Sequence, residues 1–223
     1  MSELVVKESP KSAIAESIRV IRTNIQYTLK LKKSKTILVT STNKGEGKSF
    51  VSLNLAVSFA QKNLKVLLVD ADLRLGRLHK VFNTSCDKGL SVLLCDNDGD
   101  NYQKYVQKTG IKNLSFIPRG IVPPNPSELL DSKNVKNFIS AITPHYDIII
   151  FDGTPITGLT DSLVFSKFID KAVVVCAANY TKTDMLEKTI KSLKNLEVDI
   201  AGIVLNKVAN TVTSSYYGNY YSE

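Results

Sequence analysis

One run of residues constrains this chain more than any other: Val39-Thr40-Ser41-Thr42-Asn43-Lys44-Gly45-Glu46-Gly47-Lys48-Ser49-Phe50. A short β-branched stretch precedes it and a helical pattern follows. Glycines between a strand and a helix let backbone N–H groups close around anionic oxygens, and the helix N-terminus beyond adds a favourable dipole. Lys48 has the reach to meet β- and γ-phosphates, and the Ser49 hydroxyl is placed to ligate Mg²⁺. The usual pattern has glycine six positions before the lysine, whereas this chain has Thr42. A strand–loop–helix unit of this kind belongs to an α/β fold.

The rest of the chain agrees. Apolar runs recur at Thr36–Ser41, Lys65–Asp70, Leu114–Pro118, Asp147–Asp152, Ala172–Ala177 and Ala201–Asn206, each followed by a turn and a helical pattern. Several are continuous rather than alternating, such as Ile148-Ile149-Ile150-Phe151, which indicates strands covered on both faces. The expected fold class is α/β: a doubly wound, mainly parallel sheet flanked by helices, with ligands beyond the C-terminal strand ends. The 223 residues suit a single domain. Pro10 to about Leu29 reads as an amphipathic helix, 36–208 as the phosphate-loop core, and 211–223 as a mobile tail crowded with Ser, Gly, Asn and Tyr. The basic run from Lys30 to Lys35 reads as a solvated linker.

Two further strand ends are acidic. Val69-Asp70-Ala71-Asp72-Leu73-Arg74 places two carboxylates and an arginine where a strand leaves the sheet, and Phe151-Asp152-Gly153-Thr154-Pro155 places one. A lone aspartate at a strand end is usually a turn former. Three carboxylates on strand ends that converge on a phosphate loop instead suit a Mg²⁺-bound nucleotide, because Mg²⁺ takes few carboxylates and completes its shell with water and phosphate.

Composition excludes some alternatives. No apolar run reaches bilayer length and no signal-peptide pattern opens the chain, so a cytosolic protein is expected. Cys86, Cys95 and Cys176 form no Cys-x-x-Cys pair, and His79 and His145 stand apart, which argues against a disulfide framework or a Cys/His metal site. The net charge of +8 permits an anionic partner without specifying one.

These motifs together resemble the deviant P-loop ATPases that include the MinD/ParA partition proteins and the bacterial tyrosine kinases. Lys48 and Ser49 are similar to the Walker A motif, Asp70 to Arg74 to Walker A′, Asp152 to Pro155 to Walker B, and Ser52-Leu53-Asn54-Leu55-Ala56 to the helix that follows. Partition ATPases usually carry a lysine five positions before the Walker lysine; here that position is Asn43, with Lys44 one place later. Three features resemble the kinase branch: Glu16-x-x-Arg19-x-x-Arg22, the loop Val122 to Leu130, and Tyr216, Tyr217, Tyr220 and Tyr221 in the tail. Leu75 departs from it, standing where the family usually has proline.

The resemblance implies an ATP- and Mg²⁺-dependent protein tyrosine kinase. Asn43, Lys44, Gly45, Glu46, Gly47, Lys48, Ser49, Phe50, Arg74 and Asn206 would contact nucleotide, with Asn206 at the base. Ser49, Asp70 and Asp152 would hold Mg²⁺, and Asp70 or Asp72 would accept the tyrosine proton. Glu16, Arg19 and Arg22 would join copies into a ring, and the four tail tyrosines would be phosphorylated. Implied partners are a membrane polysaccharide co-polymerase adaptor, which recruits the chain to the inner face of the plasma membrane, and a cognate tyrosine phosphatase; no nucleic acid is expected. The competing reading is a MinD/ParA-like ATPase switch on DNA or membrane.

Overall fold

A computed structural model describes residues 3–32 and 35–209. Helices α1 (Val5–Glu8) and α2 (Ala13–Lys32) lead into β1 (Thr36–Ser41), α3 (Lys48–Ala60) and β2 (Val66–Asp70). A helical stretch follows, comprising α4 (Leu78–Val81), α5 (Leu90–Cys95) and a 3-10 turn at Gly99–Tyr105. The chain then forms β3 (Gln107–Lys108), β4 (Leu114–Ile117), α6 (Pro126–Leu130), α7 (Lys133–Ile142) and β5 (Ile148–Pro155). It ends with α8 (Asp161–Ser166), β6 (Lys171–Ala177), α9 (Thr183–Asn195) and β7 (Ile200–Asn206).

The seven strands lie in the order β3-β4-β2-β5-β1-β6-β7, and every neighbouring pair except β3–β4 is parallel. β1, β2, β5 and β6 are buried along their whole length. Alternate side chains of β1, β2 and β5 feed two cores, and Ala172 and Val174 of β6 a smaller third one with Leu193 of α9. Ile37, Val39, Leu68 and Ile150 pack toward α2 and α3, while Leu38, Leu67, Ile149 and Phe151 pack toward α5, α7 and α8. This is the doubly wound α/β architecture that the apolar runs imply.

The helix that carries Lys48 and Ser49 is itself interior: every residue of α3 from Val51 to Ala60 is buried, between the sheet and the pair α1–α2. Asn54 fastens that outer layer. Its Oδ1 accepts Val6 N–H at 3.1 Å and its Nδ2 donates to Glu3 O at 2.8 Å. Val5 and Val6, which carry no sequence signal on their own, are buried against α3.

Three boundaries differ from the sequence expectation. α2 begins at Ala13 and not at Pro10, with Ser12 as its cap, the Oγ accepting Ala15 N–H at 3.2 Å. The basic run read as a linker is helical through Lys32. β5 continues past Asp152 to Pro155, so the second acidic motif lies within a strand and not beyond its end. The tail 211–223, with Tyr216, Tyr217, Tyr220 and Tyr221, lies outside the described residues.

Candidate active site

The phosphate loop joins β1 to α3, and two of its residues need left-handed backbone: Gly45 (φ +83°) and Gly47 (φ +95°). Gly47 is further restricted by space, since a Cβ there would stand 2.1 Å from Asn206 Nδ2. Glu46 is fully buried. Its carboxylate accepts Asn43 N–H at 2.9 Å, Asn43 Nδ2 at 3.1 Å and the Thr181 hydroxyl. The side chain expected at the nucleotide is therefore turned inward as a brace for the loop. Asn206 Nδ2 donates to Glu46 O at 2.9 Å and Tyr180 OH to Lys44 O at 3.3 Å. The ends of β6 and β7 thus hold the loop from one side. Thr42, at the position where glycine is usual, is buried with an unpartnered hydroxyl.

The acidic side of the site is assembled by strand register, which pairs Asp70 of β2 with Asp152 of β5. Lys48 Nζ meets Asp72 Oδ2 at 3.1 Å. Burial alone would lower the Lys48 pKa, but the charges of Asp152 and Asp72 outweigh it and hold the ammonium above its ordinary value. Ser52 Oγ donates to Asp152 Oδ1 at 3.0 Å. Asp70 Oδ2 accepts Leu78 N–H at 3.1 Å, and Asp72 Oδ1 accepts Leu75 N–H at 2.9 Å.

Two oxygens remain: Asp70 Oδ1 and Asp152 Oδ2 are buried and have no hydrogen-bond partner. The Ser49 hydroxyl is near enough to lower the Asp152 pKa, yet completes no hydrogen bond with Oδ2. Burial drives the Asp70 pKa well above the usual carboxylate range, and the charge of Asp152 pushes it further. Burial also raises Asp152, against the pull of Lys48, Ser49 and Ser52. Two desolvated carboxylate oxygens and a hydroxyl form a donor set of the hard-oxygen type that Mg²⁺ takes. Among the described residues no group of three His, Cys, Asp or Glu side chains makes a metal cage. Protein alone would not complete such a shell; phosphate and water would have to supply the rest. Gly76 keeps Asp70 in place, because a Cβ there would lie 2.2 Å from Asp70 Oδ1.

Above this floor opens a cleft of about 950 Å³, lined by the phosphate loop, Asp72, the segment from Arg74 to Val81, Arg119 and Pro155. Arg74, expected at the nucleotide, lines the cleft but forms a bidentate pair with the buried Asp161, Nε–Oδ2 2.7 Å and NH2–Oδ1 3.0 Å. Arg119 also lines the cleft. Its Nε donates to Gly76 O at 2.8 Å, which fixes a cation opposite the loop. An arginine following a strand, beside no motif, gives no signal of that position.

The proposed interface motif is divided. Glu16 and Arg19 pair within α2 at 2.8 Å and stay partly exposed. Arg22 is 8% exposed, and its NH1 donates to Ser58 O at 3.2 Å and Ser58 Oγ at 3.1 Å. In this chain Arg22 ties α2 to α3.

Comparison with known proteins places the chain in a family. The AAA_31 family model, an AAA domain, matches residues 34–204. Tyrosine-protein kinase YwqD of Bacillus subtilis (strain 168) is 34% identical over 217 residues, covering 96% of this chain and 91% of YwqD. The chain belongs to the bacterial tyrosine-protein kinase family. Tyrosine-protein kinase etk of Escherichia coli (strain K12) is 32% identical over 209 residues, but the chain spans only 28% of that relative's length. The family's solved structures superpose well. The chimerical protein CapA2B2 gives a TM-score of 0.87 at 36% identity, covering 93% of this chain and 91% of that one. The kinase domain of E. coli ETK gives 0.88 at 31% identity, covering 92% and 80%. The MinD protein of Pyrococcus horikoshii complexed with Mg-ADP, at TM-score 0.65 and 22% identity, shares the fold alone. Among the described residues no helix is long and apolar enough to cross a membrane.

Proposed function

We propose that this kinase-family chain transfers the γ-phosphoryl group of ATP to tyrosine, chiefly on Tyr216, Tyr217, Tyr220 and Tyr221 of another copy. The observation that carries the reading is the pair of unpartnered buried oxygens, Asp70 Oδ1 and Asp152 Oδ2, beside Lys48 and Ser49. Ser49, Asp152 and Asp70 would hold Mg²⁺, which when bound neutralises charge on the phosphates. Phosphoryl transfer is mainly positioning and charge neutralisation. Lys48 and the backbone amides from Gly45 to Ser49 bind the phosphates, and Phe50, Asn43 and Lys44 border them. Asn206, beside the loop, is the candidate contact to the base. Asp72 or Asp70 accepts the phenolic proton. Asp72 also sets the position of the Lys48 ammonium, so removing either disturbs both.

Resemblance supplies the setting. The chain would act with a membrane adaptor of the polysaccharide co-polymerase type, in ring assemblies built through Glu16, Arg19 and Arg22, and be reset by a tyrosine phosphatase. The process would be capsular or exopolysaccharide synthesis.

The test is incubation with γ-labelled ATP and Mg²⁺, with and without an adaptor tail, followed by phosphotyrosine mapping. Phosphotyrosine in the tail, abolished by Lys48→Met, is the expected result. Wild-type labelling in a folded Lys48→Met protein overturns the site, and hydrolysis of ATP without any phosphotyrosine returns the chain to the ATPase-switch reading.

A further inference from the structure

Two of the described tyrosines are well exposed, Tyr27 at 68% and Tyr180 at 59%. Tyr27 lies in α2. Tyr180 sits in the turn between β6 and α9, and its hydroxyl donates to the carbonyl of Lys44, 136 residues away in the phosphate loop. Its neighbour Thr181 holds the Glu46 carboxylate, and Asn206 holds the Glu46 carbonyl.

Peptide planarity gives these contacts a consequence. Across a trans peptide unit, C=O and N–H point in opposite directions. Drawing the Lys44 carbonyl toward Tyr180 therefore turns the Gly45 N–H away from it, and drawing the Glu46 carbonyl toward Asn206 does the same for the Gly47 N–H. Both amides belong to the set that a phosphate loop presents to its anion. One tyrosine hydroxyl and one asparagine amide, on neighbouring strand ends, thus set the sense of two loop peptides.

We propose that Tyr180 is a positioning residue of the phosphate loop and, when phosphorylated by a second copy of this chain, an off-switch for nucleotide binding. The proposal rests on the kinase reading above. Tyr180 Oη would attack the γ-phosphorus of ATP held by the other copy. Its proton passes to that copy's Asp72 or Asp70, and the bond from the γ-phosphorus to the bridging oxygen breaks to release ADP. The hydrogen bond to Lys44 does not bar this step, since a single neutral bond at an exposed site is worth only about 0.5–1.5 kcal/mol.

The product differs from the phenol in three ways. It has no proton to donate, so the Lys44 carbonyl loses its partner. It carries about −1.5 to −2 charges beside a loop that must bind anionic phosphate. The exposed side chains of Lys44 and Lys182, adjoining the contact, offer it cationic partners that keep it at the loop instead of releasing it to solvent. Charge and geometry oppose nucleotide together.

Three proteins test this: unmodified chain, Tyr180→Phe, and chain carrying phosphotyrosine at 180 by genetic encoding, with phosphotyrosine at Tyr27 as comparison. ADP·Mg affinity is read by calorimetry and melting temperature without ligand by scanning. Tyr180→Phe should weaken ADP about 2- to 10-fold, the range one hydrogen bond allows, and lower the ligand-free melting temperature by no more than about 6 °C. Phosphotyrosine at 180 should weaken it more than tenfold, and at Tyr27 not at all. ADP binding equal to wild type in the phosphorylated form overturns the switch, and an unchanged affinity in Tyr180→Phe overturns the positioning role. Phosphosite mapping after incubation with ATP separates the inference from its premise. Phosphate on the tail but never on Tyr180 sinks the inference alone, whereas no phosphotyrosine anywhere sinks both.

Discussion

Asp152 illustrates how a side chain can work against stability where it serves a site. Its carboxylate is wholly buried, with one oxygen bonded to Ser52 and the other unpartnered. Burial raises its pKa and, more strongly, that of Asp70. A carboxylate whose pKa is higher folded than unfolded makes the native state the better proton binder. Its destabilising effect is absent below the unfolded aspartate pKa of about 3.9 and grows as pH rises toward the raised native value. Asp152→Asn keeps the acceptor for Ser52 and removes the buried charge. The ligand-free variant should gain about 1–2 kcal/mol at neutral pH, about 2–8 °C in melting temperature, while losing phosphoryl transfer. Its stability should also depend less on pH between 4 and 7. A melting temperature equal to or below wild type at pH 7 counts against this account of the charge.

At the scale of elements, α2 carries two kinds of residue under one motif. Arg22 lies against α3, and truncation leaves Ser58 O without that donor, so Arg22→Ala should cost about 1–3 kcal/mol in denaturant unfolding. Glu16 and Arg19 form a partly exposed i,i+3 pair, whose loss should cost no more than about 0.5 kcal/mol, but Arg19 NH2 also donates to Pro10 O at 2.6 Å. Assembly is therefore best tested with Glu16→Ala, which leaves that bond in place: light scattering should show a smaller particle while the unfolding midpoint holds. The same helix shows what sequence conveys. The period of apolar positions announces α2, and continuous apolar runs announce β1, β2, β5 and β6, because burial on both faces leaves a plain compositional trace. β3 leaves none: two residues, Gln107 and Lys108, pair antiparallel at the sheet edge with no apolar demand. α1 is equally silent, since four residues show no period. In the site, Lys48, Ser49 and the three aspartates are legible because their motifs fix local backbone. The contacts Glu46–Thr181, Arg74–Asp161 and Arg119–Gly76 are not, because each joins residues 43 or more apart and depends on tertiary register.

For the whole molecule, the parallel sheet brings the phosphate loop, the acidic strand ends and Asn206 to one edge, while β7 leads directly into the tail. The tail tyrosines lie outside the described residues, so their role is tested by substitution. Phenylalanine at Tyr216, Tyr217, Tyr220 and Tyr221 should remove most self-phosphorylation, read by mass spectrometry after incubation with ATP. Phosphate that persists undiminished on Tyr27 would move the main acceptor to α2, whereas phosphate on the buried Tyr102 or Tyr105 would mark labelling of unfolded protein. The order of strands in space has one more effect. The loop is made from residues 42–49, but the amide that clamps it belongs to Asn206, in the last of the described strands. During synthesis the loop leaves the ribosome long before its clamp. A nascent or truncated chain ending before Asn206 carries the glycines and Lys48 without that restraint, so nucleotide can favour the folded form only once nearly the entire domain has been made.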